Sequence, residues 1–175
     1  PLAIDNPVVE PQGTAFAQYW YAYEMNTEQA WTSVAKFYPP NQSAVNLVYA
    51  LRATQRLAEL HRGNNELDRA RTRYQELTAS GEAQFSAAGF IGLANLSSQE
   101  AIELQNQGED SMVRTKTANV RASLAAAISK LESLPRERRD PVVQLLDTNL
   151  LSVYKTLLRD YQGSSDQVDG PEKSG

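Results

Sequence analysis

The chain has 175 residues, of which 41% are hydrophobic and 22% charged, and its net charge is -4. The acidic balance argues against a nucleic-acid-binding protein, and the absence of cysteine excludes a disulfide framework, a thiolate metal site and a cysteine nucleophile. No run of about 18 apolar residues is present, so the sequence predicts no membrane span within this chain.

The first stretch, PLAIDNPVVEPQG, contains three prolines and a glycine. It predicts an extended, proline-rich lead-in over 1–13 rather than a helix. Because the sequence starts at Pro1 and not at a methionine, we expect that a segment ahead of it has been processed or removed.

Helices are predicted from residue 14 onward, since the sequence lacks both alternating strand patterns and hairpin turns. Start and stop residues place four helices in the first half of the chain. Their predicted bounds are about 14–25, 27–38, 44–62 and 66–80. Asn26 with Gln29 is predicted to open the second helix as a capping box, and Ser43 to cap the third.

The second half of the chain continues in the same way. Four more helices are predicted, over about 83–96, 98–108, 111–134 and 141–161. Ser97 with Glu100 resembles a capping box, which separates the first two of these. The last two are longer and are predicted to close the end of a helical stack. Residues 163–175 have no apolar face and are predicted to be disordered.

Short connections indicate that consecutive helices pair as antiparallel hairpins. The four predicted hairpins cover about 14–38, 44–80, 83–108 and 111–161. The sequence therefore predicts an all-α fold of about eight helices, in a single domain over 14–162 with a longer C-terminal closing hairpin.

The stretch LAELHRGNNELDRARTRYQEL, residues 57–77, carries the clearest internal pattern. Ala58 and Ala70 are small residues on consecutive helices, and Tyr74 lies one turn beyond Ala70. Alanine at a crossing lets two helix backbones approach, and the tyrosine fills the gap to the next hairpin. This spacing resembles the tetratricopeptide repeat (TPR) over about 44–79, with Asn65 where that family most often has glycine.

Two neighbouring stretches resemble the same plan. Residues 17–40 join an aromatic helix to a second helix that contains Ala30, and residues 85–104 join the pair Ala88-Gly89 to Ala101. The resemblance implies a right-handed α-α superhelix of TPR-like antiparallel hairpins.

The arrangement is also similar to the soluble part of bacterial membrane-anchored TPR-like proteins. Those proteins carry one N-terminal membrane helix and a helical domain outside the membrane. The resemblance therefore implies a location in the bacterial cell envelope, on the periplasmic side, through an anchor that is missing from this sequence.

One side of the helix over 44–62 is a candidate for partner binding. In TPR domains the first helix of each pair lines the ligand groove, so the resemblance implies that arginines there hold peptide carboxylates. The candidate residues are Arg52, Gln55, Arg56, Glu59 and Arg62. The alternative is a solvated charged face, on which Glu59 pairs with Arg56 or Arg62.

The aromatic cluster YWYAY, residues 19–23, is the second candidate. Helical spacing places Tyr19 and Tyr23 on one side, and Phe16 and Trp20 on another. The cluster is either core or a surface for a peptide or for self-association. Tyr19 and Tyr23 are the residues predicted to contact a partner.

The only histidine, His61, is predicted to be a packing residue on the inner side of its helix. Metal binding requires further ligands in a related frame, and the chain has no second histidine. No nucleophile motif is present either. We therefore expect no catalytic residue, no cofactor and no metal site.

These observations predict a non-catalytic module that binds a peptide or protein partner through a TPR-like groove. The alternative is a structural role, in which the hairpins build a homo-oligomer or a self-assembling scaffold of the bacterial cell envelope.

The repeat pattern makes Ala70 the most sensitive position of this stretch. We expect Ala70→Leu to overpack the helix crossing and to lower the free energy of unfolding by about 1–3 kcal/mol, as measured by urea denaturation. His61→Gln is expected from the sequence to cost much less. A larger loss of stability for His61→Gln than for Ala70→Leu, or an activity that His61→Gln abolishes, would contradict the non-catalytic interpretation.

Overall fold

The computed structural model describes residues 9–134 and, beyond them, only Thr156 and Arg159. Residues 1–8 of the predicted lead-in are outside this range. The predicted helix over 141–161, apart from those two residues, and the predicted disordered tail over 163–175 also lie outside the described residues.

Six α-helices and no strand are present in the described part of the chain. They are α1 (Ala15–Met25), α2 (Glu28–Phe37), α3 (Ala44–Gly63), α4 (Leu67–Thr78), α5 (Ala83–Asn106) and α6 (Asp110–Glu132). The prediction of an all-α fold is confirmed. The right-handed superhelix and the total of eight helices stay predictions.

Short hydroxyl side chains begin the first three helices. Thr14, Thr27 and Ser43 have extended backbone, and each hydroxyl accepts a hydrogen bond of 3.0–3.2 Å from the backbone N–H three residues later. The prediction for Ser43 is confirmed. The capping box of Asn26 with Gln29 is wrong, because Asn26 ends α1 in the left-handed conformation (φ 45°) and Thr27 caps α2 instead.

The turn between α3 and α4 forms where it is predicted, at Gly63-Asn64-Asn65. Asn65 has a φ of 60°, in the left-handed region that favours glycine and that asparagine also tolerates. The backbone N–H of Glu66 then donates to the carbonyl of His61 at 2.8 Å. This hydrogen bond caps the end of α3 and brings Glu66 next to the last turn of that helix.

The chain divides into two compact units, Pro1–Arg73 and Tyr74–Gly175. In the first unit, α1, α2 and α3 pack against one another. Its core consists of Ala22, Ala30, Trp31, Val34, Ala53 and Leu57. Alanine from each of the three helices leaves room for the large indole of Trp31 at close helix separations.

In the second unit, α5 packs along α6. Two buried clusters hold the pair together, and each draws on both helices. They are Ala87 with Ala127 and Leu131, and Ala94 with Val120 and Leu124. The apolar residues of α6 thus form a packing face, and α5 is its partner in the described part of the chain.

The predicted break at Ser97 is wrong, because α5 continues through it to Asn106. Ser97 is buried inside the helix rather than exposed at an N-terminus. No glycine or proline lies between Gly92 and Gly108 to interrupt the helix. The predicted hairpin over 83–108 is therefore one long helix, which keeps apolar contact with α6.

Two glycines of α5 lie close to Tyr74 and Thr78 at the end of α4. A Cβ atom at Gly89 would lie 2.6 Å from the carbonyl oxygen of Tyr74 and 2.7 Å from the backbone nitrogen of Thr78. A Cβ atom at Gly92 would overlap the Tyr74 ring. The predicted contact of Tyr74 with the helix that follows is confirmed.

This close approach predicts that Gly89→Ala destabilises the protein. We expect a loss of about 1–3 kcal/mol, because the atoms in the way belong to the backbone. This loss outweighs the roughly 1 kcal/mol by which alanine is favoured over glycine in a helix. Urea denaturation followed by circular dichroism measures the difference.

Gly63→Ala is the matched control, since no atom lies within 4 Å of its Cβ position. We expect that substitution to leave the free energy of unfolding unchanged or to raise it by less than about 1 kcal/mol. Equal losses for the two variants would contradict the packing described at Gly89.

Candidate functional site

The candidate site is one face of the first unit, where α1 and α3 lie side by side. The rings of Phe16 and Tyr49 have centroids 5.8 Å apart, and the Arg56 guanidinium lies 6.0 Å from the Tyr23 ring. The second pair follows the first by seven residues on both helices (16 to 23 and 49 to 56). The two helices therefore run in the same direction along this face.

Three aromatic side chains form an exposed row on α1, which we call the aromatic strip. Phe16, Trp20 and Tyr23 are 51%, 47% and 50% exposed. Neighbouring ring centroids are 6.1 and 5.4 Å apart, with interplanar angles of 78° and 71°. Their spacing of four and then three residues keeps them on one side of the helix. An exposed row of large rings is typical of an interaction surface.

Tyr19 lies beside the strip but belongs to the packing. It is half-buried, with its ring centroid 5.4 Å from that of Trp31 and 5.6 Å from that of Tyr49. These contacts join α1 to both α2 and α3. The aromatic cluster is therefore core at Tyr19 and surface at the aromatic strip.

Arg56 is held in place by three neighbours on this face. A hydrogen bond with the Tyr19 hydroxyl raises the pKa of Arg56 above its ordinary value, and partial burial acts in the opposite direction. Glu59 raises it further, through an ion pair of 2.9 Å. The guanidinium also stacks near the Tyr23 ring. These neighbours favour the charged form of Arg56 and keep its guanidinium near Tyr23.

Arg52 lies one turn before Arg56 and carries a second positive charge on the same face. Its guanidinium is 5.5 Å from the centroid of the Tyr49 ring. It forms no ion pair with a carboxylate in the part of the chain that the structure describes. Since Glu59 already pairs with Arg56, the net charge of this face is set by Arg52.

A groove of about 590 Å³ continues the face beyond Tyr23. It is lined by Tyr23, Asn26, Trp31, Arg56, Glu59, Leu60, Gly63 and Asn64. The indole N–H of Trp31 donates to the side-chain oxygen of Asn26 at 3.1 Å, which fixes one wall. The volume lies in the range of pockets that hold small ligands or peptide side chains.

Most of the predicted partner-binding residues meet on this face. Tyr23, Arg56 and Glu59 line the groove, and Arg52 and Tyr19 both lie against the Tyr49 ring on the same face. The remaining two do not line the groove. Gln55 donates to Glu59 at 3.3 Å, and Arg62 is exposed near the end of the helix. The predicted pairing of Glu59 with Arg56 is present as well.

Sequence reasoning missed Phe16 and Trp20 as members of this surface. It grouped Tyr19 with Tyr23, which are also one turn apart. The spacing of 16, 20 and 23 contains an equally good helical row. The positions of α2 and α3 decide that Tyr19 faces inward and that the aromatic strip faces solvent.

His61 lies away from this face in a polar network of the same unit. It is 2% exposed, and its Nδ1 is 2.5 Å from Oε2 of Glu66. Arg69 donates to the same oxygen at 3.3 Å and also forms an ion pair with Glu28. The network links the start of α2 to the turn after α3.

No cluster of three or more potential metal ligands occurs in the described residues. His61 Nε2 is buried without a hydrogen-bond partner among them, so its only polar partner there is Glu66. Within the described range, no helix has the length and apolar character needed to cross a membrane.

Comparison of the chain with protein-family models, with curated proteins and with solved structures finds no match.

Because of the polar network, we expect His61→Gln to lower the free energy of unfolding by more than the sequence alone predicts. The substitution disturbs a buried, carboxylate-bound imidazole, so we expect the free energy of unfolding to fall by about 1–3 kcal/mol. We expect the same range for Ala70→Leu, because Ala70 is fully buried. The structure therefore revises the smaller loss of stability that the sequence predicts for His61→Gln.

Arg62→Gln is the control in the same urea denaturation experiment. Arg62 is the exposed neighbour of His61, and its substitution is expected to change stability by less than about 0.5 kcal/mol. Equal effects of the two substitutions would show that the network around His61 contributes nothing to stability.

Proposed function

We propose that the chain is a non-catalytic interaction module that binds a peptide or protein partner along the face formed by α1 and α3. One observation carries this proposal: three exposed aromatic rings lie in a row beside two arginines that are themselves seated on aromatic rings. Tryptophan, tyrosine and arginine are the residue types that most often dominate binding energy at protein interfaces.

The arrangement of Arg56 supports binding rather than mere solubility. A free arginine on a surface loses rotamer entropy when it orders around a ligand. Here Tyr19, Tyr23 and Glu59 already hold the guanidinium. A partner that packs against Arg56 therefore freezes less side-chain motion than it would at Arg62, which makes no such contacts in the described residues.

The placement of the helices supports a TPR-like groove. In such a fold, the first helices of successive hairpins line the concave face. α1 and α3 are the first helices of the first two predicted hairpins, and they run in the same direction along the candidate face. On this proposal α1 to α4 form two repeats of a right-handed superhelix.

A second candidate function is self-assembly into a structural scaffold. The aromatic strip favours it, since exposed rings on one copy can pack against the same rings on another. Light scattering over a range of protein concentrations separates the two functions. A monodisperse monomer at all concentrations supports the interaction module, and a stable oligomer that Trp20→Ala disrupts supports the scaffold.

Capture of partners from the native source tests the leading proposal. We expect a protein that is retained by the unmodified chain and is reduced about tenfold or more by Tyr23→Ala or Arg56→Ala. Quantitative mass spectrometry of the bound fraction measures this ratio.

Arg62→Ala serves as the control, because Arg62 is exposed on α3 but does not line the groove. It is expected to retain the same partner as the unmodified chain. Partners that bind equally well to the Tyr23→Ala, Arg56→Ala and Arg62→Ala variants would place the binding surface elsewhere.

A further inference from the structure

We infer that the ligand of this face is an extended peptide segment with prolines three residues apart and a carboxylate between them. This inference rests on the proposed function and specifies the chemistry of its ligand. The aromatic strip (Phe16, Trp20, Tyr23) receives the prolines, and Arg52 receives the carboxylate.

The fold of the described residues limits how a ligand backbone can be held on this face. The described residues contain no strand, so they offer no sheet edge that could pair with an extended peptide. Recognition must then come from side chains. A polyproline II segment fits this requirement, because it makes no internal hydrogen bonds and leaves its backbone solvated.

The spacing of the rings in the aromatic strip is close to the repeat of a polyproline II helix. From Phe16 to Tyr23 the helix advances by about 10 Å, at 1.5 Å per residue. A polyproline II helix has three residues per turn and advances about 9 Å over them. Prolines three residues apart therefore lie on the same side of the ligand, at nearly the separation of the first and last rings of the strip.

The shape of the aromatic strip also suits a ligand that presents proline rings. Its neighbouring rings meet at 78° and 71°, so ring faces alternate with ring edges along α1. Such an arrangement presents both ring faces and ring edges to a ligand. Proline rings pack against aromatic side chains, and their fixed backbone limits the entropy lost on binding.

The charges on this face favour a ligand that carries a carboxylate. Arg56 is paired with Glu59, whereas Arg52 has no described carboxylate partner and stacks on Tyr49 beside the strip. A carboxylate on the ligand supplies that missing partner. A purely apolar ligand, including the aromatic strip of a second copy, leaves the charge of Arg52 unmatched.

A labelled peptide of four Pro-Glu-Ala repeats tests the inference by fluorescence anisotropy with the whole chain. We expect saturable binding, weakened about tenfold or more when the prolines are replaced by alanine or the glutamates by glutamine. The chain has two tryptophans, and Trp31 is buried. A shift of tryptophan emission on binding therefore reports on Trp20.

Variants of the protein assign the two contacts separately. Trp20→Ala is expected to weaken binding about tenfold or more, whereas Trp20→Phe keeps a ring and restores most of it. Arg52→Gln is expected to remove most of the difference between the glutamate and glutamine peptides. Arg62→Gln, on another part of α3, is expected to leave binding unchanged.

Three results would overturn the inference. The first is equal binding of the proline and alanine peptides, and the second is binding that Trp20→Ala leaves intact. The third is self-association that Trp20→Ala abolishes, with no peptide binding, because it assigns the strip to a second copy.

The experiments distinguish an error in the proposed function from an error in the proposed ligand class. If no Pro-Glu-Ala peptide binds, but a captured partner still depends on Tyr23 and Arg56, the ligand class is wrong and the interaction module stands. If neither the peptide nor any partner depends on these residues, both proposals are wrong.

Discussion

The packing of Tyr19 is the contact on which the first unit and its candidate site both depend. Its ring lies against Trp31 of α2 and Tyr49 of α3, and its hydroxyl raises the pKa of Arg56. One side chain thus joins three helices and acts on a charged group at the surface. Because Tyr19 faces inward, the aromatic strip one step around the same helix is left facing solvent.

Helices pack closely in both units, but different residues allow it in each. In the first, alanines from three helices make room for Trp31, and short hydroxyl caps determine where each helix begins. In the second, glycine at position 89 lets α5 approach the backbone at the end of α4, and α5 continues unbroken along α6. Small residues therefore set helix separations in both units, and aromatic and arginine side chains give the first unit its candidate site.

Local sequence predicted much of the fold, and tertiary packing explains where it failed. The cap at Ser43 and the turn at Gly63 to Asn65 depend on nearby residues alone, so their positions were predictable. The cap predicted at Ser97 is equally good as local sequence, but contacts with α6 favour a continuous helix. For the site, Arg56 and Tyr23 followed from helical spacing. Trp20 did not, because spacing alone cannot show which side of α1 is covered by α3.

The indole N–H signals of Trp20 and Trp31 provide the most direct test of the claim that α1 and α3 form the binding face. The chain contains only these two tryptophans, one exposed and one buried, so a two-dimensional ¹H–¹⁵N NMR spectrum reports on each separately. When a captured partner is added, we predict that the Trp20 signal shifts or broadens strongly, because its ring is exposed on the aromatic strip. A bound complex in which the Trp20 signal stays in place would contradict the account.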